Sequence, residues 1–365
     1  MRAAVLRRAG EPLTIEEVTL AAPQVGEVLV RVEAAGICHT DLHYMNGDMG
    51  CPLPVVLGHE GAGIIEEVGP GGTGRVRVGD RVALMWRPRC GECEACVSGN
   101  PVLCVKGRVQ ATTGGLLDGT SRLSEGAEQL HHFLGVSCFA EHVVTSGRSV
   151  VVVPDGVPAE IAAIAGCAVI TGVGAVLNVV ENAAGRPILV FGAGGVGLSS
   201  VMGARLVGAY PIIAIDVDDA KLELARNLGA THTINSTTED VLASVLRIAP
   251  DGVSWAIEAI GRPATFQQAF SCVAPGGTVV AVGLGPVDAS FAVPINELVQ
   301  RQKHVVGSLY GSANPRIDLP KIFELYLAGR LPLDQLLGER TTLENVNQAY
   351  ERLAQGSVGR AVVVL

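Results

Sequence analysis

Along residues 1 to about 150, short apolar runs alternate with polar positions and are cut by glycine and proline. Val28-Leu29-Val30-Arg31-Val32, Gly63-Ile64-Ile65-Glu66-Glu67-Val68 and Arg81-Val82-Ala83-Leu84 read as strands. Turn signals stand between them, as in Gly69-Pro70-Gly71-Gly72 and Val78-Gly79-Asp80. This pattern predicts a partly closed β-barrel. From about residue 169 the rhythm changes. Strands are predicted at 188–191, 212–216, 254–257, 278–282 and 305–308, and helices at 196–207 and 220–228. Near-continuous apolar strands alternating with helices predict a parallel sheet covered on both faces. After about residue 310, helices at 320–327 and 343–355 precede a last strand at 361–365. The expected division is a β-rich domain from 1–168 and 311–365, and an α/β domain from 169–310.

Composition narrows the picture. A chain of 365 residues accommodates two domains of ordinary size. With 48% hydrophobic and 17% charged residues, a well-buried core is expected. The net charge of −9 and the lack of a basic stretch argue against nucleic acid as a partner. Residues 1–17 carry no sustained apolar core, so no secretory signal is expected. No uninterrupted apolar run is as long as a membrane span, so no membrane partner is expected. Nine cysteines without such a signal point to a reducing compartment, the cytoplasm, where thiols bind metal or stay free.

Four of those cysteines, Cys90, Cys93, Cys96 and Cys104, follow the spacing C-x2-C-x2-C-x7-C. Four thiolates in one short loop can close a tetrahedral shell around zinc, and a closed shell serves structure. Disulfides are the weaker alternative, because close C-x2-C pairs favour metal and nine is odd. A second signal is Gly192-Ala193-Gly194-Gly195-Val196-Gly197, which follows an apolar strand and opens an apolar helix. Asp216 closes the next strand. Glycines let backbone approach a pyrophosphate, and a helix N-terminus favours its charge. The Asp216 carboxylate can accept hydrogen bonds from ribose hydroxyls and would repel a 2′-phosphate, which favours NAD over NADP. Lys221, one helical turn on, is within reach of the same ribose.

Cys38, His59 and Cys167 are further zinc-ligand types outside the loop. A Cys2His set with an open fourth position is a catalytic zinc arrangement. Periodicity does not show that the three meet, and on spacing alone Cys38 and Cys167 read more readily as small buried hydrophobes than as ligands.

With these landmarks, the chain resembles the zinc-dependent medium-chain alcohol dehydrogenases from end to end. The resemblance rests on Gly36-Ile37-Cys38-His39-Thr40-Asp41, Gly58-His59-Glu60-Gly61-Ala62-Gly63, the four-cysteine loop, Gly166-Cys167 with Thr171-Gly172-Val173-Gly174-Ala175, and the Gly192–Gly197 run. The segment 118–135 looks like the long loop of the liver-type, dimeric branch. The resemblance implies a Rossmann-type doubly wound sheet beside a GroES-like barrel, two zinc ions per subunit, NAD, and a homodimer. It implies that Cys38, His59 and Cys167 hold the catalytic zinc, with Glu60 close behind and Asp41 fixing the His59 ring. Thr40 and His43 would relay the alcohol proton, and hydride would pass to the nicotinamide. His39 and Arg360 would meet the pyrophosphate, Arg262 the adenosine, and Thr171, Val282 and Leu284 the nicotinamide half. Trp86, Phe133, Leu134, Leu284 and Leu309 would line the substrate pocket. The implied reaction is oxidation of a primary alcohol, aromatic ones included, to the aldehyde.

There is also a resemblance to the glutathione- and mycothiol-dependent formaldehyde dehydrogenases, carried by Cys38-His39-Thr40-Asp41-Leu42, Met85-Trp86-Arg87, Gln267-Gln268-Ala269-Phe270 and Arg108. It implies a rival activity on a thiol adduct, with Arg108 on a carboxylate and Asp48 near an acidic position for the same thiol. A zinc-free quinone reductase or a non-catalytic relative of the same superfamily would lack the metal ligands, all seven of which stand here.

Overall fold

A computed structural model describes residues 1–365, the side chain of Ala111 excepted. Contacts divide the chain into two units. One comprises Met1–Cys167, Asn314–Gly329 and Leu337–Leu365; the other comprises Ala168–Ala313 and Arg330–Leu336. The short return of Arg330–Leu336 to the second unit has no counterpart in the sequence pattern.

The first unit is built on two sheets. The larger runs Val150–Val152, Arg81–Leu84, Gly61–Val68, Glu27–Gly36, Arg360–Val364 and Leu337–Thr341, with His142–Ser146 also paired to Glu27–Gly36. The smaller runs Thr14–Glu17, Arg2–Leu6, Val55–Val56, Glu128–His132, Leu123–Glu125 and Thr19–Leu20. Alternation along Glu27–Gly36 buries Val28, Val30 and Val32 in one core with Leu57, Leu84, Phe133, Phe139 and Tyr350. The C-terminal strand completes this sheet because Val362–Val364 pairs with Ala34–Gly36.

In the second unit, six parallel strands follow the order His232–Asn235, Ile212–Asp216, Ile188–Phe191, Val253–Glu258, Val273–Ala281, His304–Gly307. This is the doubly wound arrangement, in which ligands bind at the carboxyl ends where the strand order reverses. The central strand Ile188–Phe191 is buried along its whole length, as a parallel strand covered on both faces requires. Strand His232–Asn235 and helices Val241–Ile248 and Pro263–Cys272 were not foreseen, since their short, mixed patterns resemble loop.

Two further differences bear on the site. Cys38 lies two residues past strand Glu27–Gly36 and caps helix His39–Asn46, a segment with little apolar periodicity to announce it. And one helical stretch, Ala159–Leu177, is long and apolar enough to cross a membrane, but 83% of it is buried inside the protein, as in a core helix.

Candidate metal and dinucleotide sites

The four-cysteine loop folds as a chain of tight turns. Cys93 caps the short helix Glu94–Val97, and Cys104 precedes helix Val105–Thr113. The four sulfurs lie within 4.8 Å of one another. Cys90 and Cys96 sulfurs are 3.9 Å apart, against about 3.8 Å expected at the corners of a tetrahedron with Zn–S near 2.3 Å. Backbone N–H groups of Glu92 and Cys93 donate to the Cys90 sulfur at 3.5 and 3.3 Å, and that of Cys90 to Cys104 at 3.2 Å. The Glu92 and Cys93 donors hold the Cys90 thiol below its ordinary pKa. The donor set therefore fits zinc, with every corner taken.

The second group assembles from three separate segments. Cys38 stands at the start of His39–Asn46; His59 and Glu60 stand just before strand Gly61–Val68. Cys167 lies in a π-helical turn, Ala165–Val169, between two α-helical stretches. Such π-turns widen a helix locally and mark functional sites. The ligand atoms of Cys38, His59, Glu60 and Cys167 lie within 4.8 Å of one another, all buried. Cys167 Sγ is 3.4 Å from His59 Nε2, the separation expected when both bind one zinc at about 2.3 and 2.0 Å. The other ring nitrogen, Nδ1, meets the buried Asp41 carboxylate at 3.1 Å, which directs Nε2 toward the sulfurs. The Gly58 N–H also donates to Asp41, at 3.2 Å. Burial works against a charged His59, but Asp41 and Cys38 outweigh it and raise its pKa.

Glu60 is bound on both oxygens by Arg360, with Nε–Oε2 at 3.0 Å and a second, closer contact through Nη2 to Oε1. Burial pushes the Glu60 carboxyl up, and Arg360 pulls the other way. Gly36 makes room for this pair, since a Cβ there would land on the Glu60 carboxylate. Arg360 was expected at the pyrophosphate; here its guanidinium is committed to Glu60. The pairing was invisible in sequence, because the partners are 300 residues apart.

Helix His39–Asn46 also carries Thr40 and His43, one turn apart on one face. His43 Nδ1 is 2.9 Å from Asp48 Oδ2. Gly47, in the left-handed conformation, turns the chain so that Asp48 folds back. The Asp48 carboxylate, which the second resemblance puts near a thiol adduct, engages His43 in this structure. Phe133 is buried and packs edge-on against both His59 (5.7 Å between centroids) and Tyr44 (4.8 Å). Trp86 and Leu134 pack on the same core. Arg108 is exposed on helix Val105–Thr113, and His39 is exposed.

In the second unit, Gly192 has φ of 91° and Gly194 caps helix Gly195–Leu206. Gly197 is required by close approach: a Cβ there would overlap the Gly192 carbonyl oxygen. Asp216 ends its strand as expected, and one oxygen accepts the Ala193 N–H at 2.7 Å, tying it to the glycine loop. Thr171 is buried, Lys221, Val282 and Leu309 are half-buried, and Leu284 and Arg262 are exposed. Sequence reasoning missed Glu258. This buried carboxylate ends the neighbouring strand and accepts the N–H groups of Ile260 and Gly261 (3.1 and 3.0 Å) and the Thr265 hydroxyl (2.6 Å). Its signal was an acid closing an otherwise apolar strand.

An open three-donor metal set, a closed four-thiolate set and a glycine-rich turn on a doubly wound sheet define a zinc-containing, dinucleotide-dependent class of dehydrogenase. Residues 24–155 match the alcohol dehydrogenase GroES-like domain, and residues 195–328 match the zinc-binding dehydrogenase domain. The chain belongs to the zinc-binding alcohol dehydrogenase family. It is 38% identical to the NDMA-dependent alcohol dehydrogenase of Amycolatopsis methanolica, over 100% of this chain and 98% of that protein. It is 37% identical to the S-(hydroxymethyl)glutathione dehydrogenase of Komagataella pastoris, over 100% and 97%. The crystal structure of benzyl alcohol dehydrogenase from Acinetobacter calcoaceticus superposes with a TM-score of 0.94 at 34% identity, over 100% and 99%.

Proposed function

We propose that this protein is a zinc- and NAD-dependent dehydrogenase that oxidises a primary alcohol, aromatic alcohols included, to the aldehyde. The observation that carries the reading is the convergence of Cys38, His59 and Cys167 beside the apolar wall of Phe133. Zinc supplies a Lewis acid that lowers the alcohol pKa, and NAD supplies the hydride acceptor. The chain's own residues do the rest. Asp41 holds the His59 tautomer. Thr40 takes the hydroxyl proton at Oγ1 and passes it toward His43, whose Nε2 is left to carry it because Asp48 engages Nδ1. Glu60, steadied by Arg360, keeps a carboxylate beside the metal group. Phe133, Trp86 and Leu134 exclude water from the alcohol. The glycine turn and the N-terminus of Gly195–Leu206 cradle the pyrophosphate, and Asp216 accepts the ribose hydroxyls. Within the second unit, Lys221 and Arg262 complete the polar half of the cofactor site, and Thr171, Val282 and Leu284 line its nicotinamide half.

The test is NADH formation with a panel of primary and aromatic alcohols, run beside formaldehyde with and without glutathione or mycothiol. Turnover of free alcohols without thiol supports the reading. Oxidation of formaldehyde only with a thiol would replace it with the rival, for which the likeness to S-(hydroxymethyl)glutathione dehydrogenase and the exposed Arg108 speak. We propose a homodimer in which the sheet edge His304–Gly307 pairs with its copy; the exposure of His304 and Val305 supports this. Nine free thiols suit a cytoplasmic enzyme.

A further inference from the structure

Among the described residues, four arginine or lysine side chains are buried: Arg87, Arg122, Lys303 and Arg360. Three of them meet a carboxylate. Arg122 pairs with Glu27, Lys303 with Glu297 and Arg360 with Glu60. Arg87 has none, although it is only 8% exposed. Its one hydrogen bond within the protein runs from Nε to the Val102 carbonyl, at 2.8 Å. A buried charge without an opposite charge is strongly destabilising, so a guanidinium held this way calls for a negative partner that the side-chain carboxylates do not provide.

Position identifies that partner. Arg87 lies three residues before Cys90, and the carbonyl it holds lies two residues before Cys104. Cys104 is fully buried, and the Cys90 N–H reaches its sulfur at 3.2 Å. Arg87 therefore braces both ends of the four-cysteine loop. Burial disfavours its charge, a Cys104 thiolate supports it, and Arg108 opposes it. Of the other cations at the loop, Lys106 pairs with Glu92 at 2.5 Å and Arg148 donates to the Cys90 carbonyl at 2.5 Å, while Arg89 is only half-buried and Arg108 is exposed. Four thiolates around one divalent zinc carry a net charge of about −2, the charge a buried arginine needs.

We propose that Arg87 is the internal counter-charge of the four-cysteine metal site, holding the loop closed through Val102 and neutralising the thiolates around the ion. The proposal rests on the zinc reading above. Arg87 is a positioning residue and touches no substrate.

The test compares wild type, Arg87→Gln, Arg87→Lys and, as an exposed cation of the same sign, Arg108→Gln. Bound zinc per subunit is measured by plasma mass spectrometry, and metal transfer to a chromophoric chelator is followed in time. Wild type holding fewer than two zinc ions per subunit would sink the metal reading itself, before Arg87 is at issue. With two bound, Arg87→Gln is expected to speed release of one equivalent by about 10-fold or more, the usual effect of losing an outer-shell partner. The other equivalent should leave at its wild-type rate. Arg87→Lys should stay within about 3-fold of wild type, and Arg108→Gln within about 2-fold. Unchanged release from Arg87→Gln, or equal acceleration of both equivalents, overturns the proposal. Should Arg87→Gln not fold, the lysine variant decides: release within about 3-fold of wild type supports a charge role, and faster release makes packing the role and overturns it.

Discussion

The two zinc-ligand groups use the same chemistry and are built in opposite ways. The closed group comes from one loop, Cys90 to Cys104, in which short helices and backbone N–H donors set the sulfurs. The open group gathers Cys38, His59 and Cys167 from a helix cap, a pre-strand turn and a π-turn. The closed group is rimmed by cations and half-exposed sulfurs, whereas the open one is wholly buried beside Phe133. A site that must only hold an ion can be local, because its geometry is set by chain spacing. A site that must also admit substrate needs an empty corner, and only a rigid surrounding fold keeps donors apart around an empty corner.

If that contrast is right, the largest effect falls on the open group. Cys167→Ser should lower kcat/KM by about 10³-fold or more, since the Lewis acid is worth several kcal/mol at the transition state. It should leave one zinc bound. Normal turnover, or loss of both ions, would break the comparison.

Next comes the buried pair behind that group. Arg360→Gln leaves Glu60 charged and unpaired, and should destabilise the fold by about 3–5 kcal/mol, read from the urea midpoint. A variant as stable as wild type would mean that Glu60 finds another partner.

Asp216→Ala tests the cofactor side independently of either metal. The KM for NAD should rise about 10-fold while that for NADP falls, with zinc content unchanged. An unaltered NAD/NADP ratio would withdraw Asp216 from the ribose.

The smallest effect separates fold acidity from metal loss. His132 is buried, its Nε2 accepts the Arg122 N–H at 3.1 Å, and its pKa is pushed down to about 3 by burial and by Arg122. The unfolded chain protonates this ring near pH 6.5, so it binds more protons than the native state between about 6.5 and 3. Native stability gains nothing from the ring above that window and falls through it as pH drops, by up to about 1.4 kcal/mol per pH unit. His132→Gln should remove this part of the slope, measured as urea midpoints at pH 7 and 5.5, without moving the pH at which zinc is released. A slope unchanged in the variant would assign the acid loss to other groups.

Much of this was legible in one dimension. The four-cysteine loop and the glycine turn with Asp216 announce themselves because local chain geometry, spacing and strand–helix order carry their chemistry. The central strands of the parallel sheet were equally plain, since burial on both faces demands unbroken apolar runs. Helix His39–Asn46 was not, because its residues serve chemistry and carry no apolar stripe. Strand His232–Asn235 is too short and mixed to stand out.

The sequence by itself determined the two-domain plan, the closed metal loop and the dinucleotide turn, all of which depend on interactions over a few residues or one strand–helix unit. Tertiary structure alone decided that Cys38, His59 and Cys167 meet, that Asp48 engages His43, that Arg360 belongs to Glu60, and that Arg87 is buried without a carboxylate. Each of these depends on which segments share a buried volume. There an unpaired charge is costly, and partners far apart in the chain become the strongest neighbours.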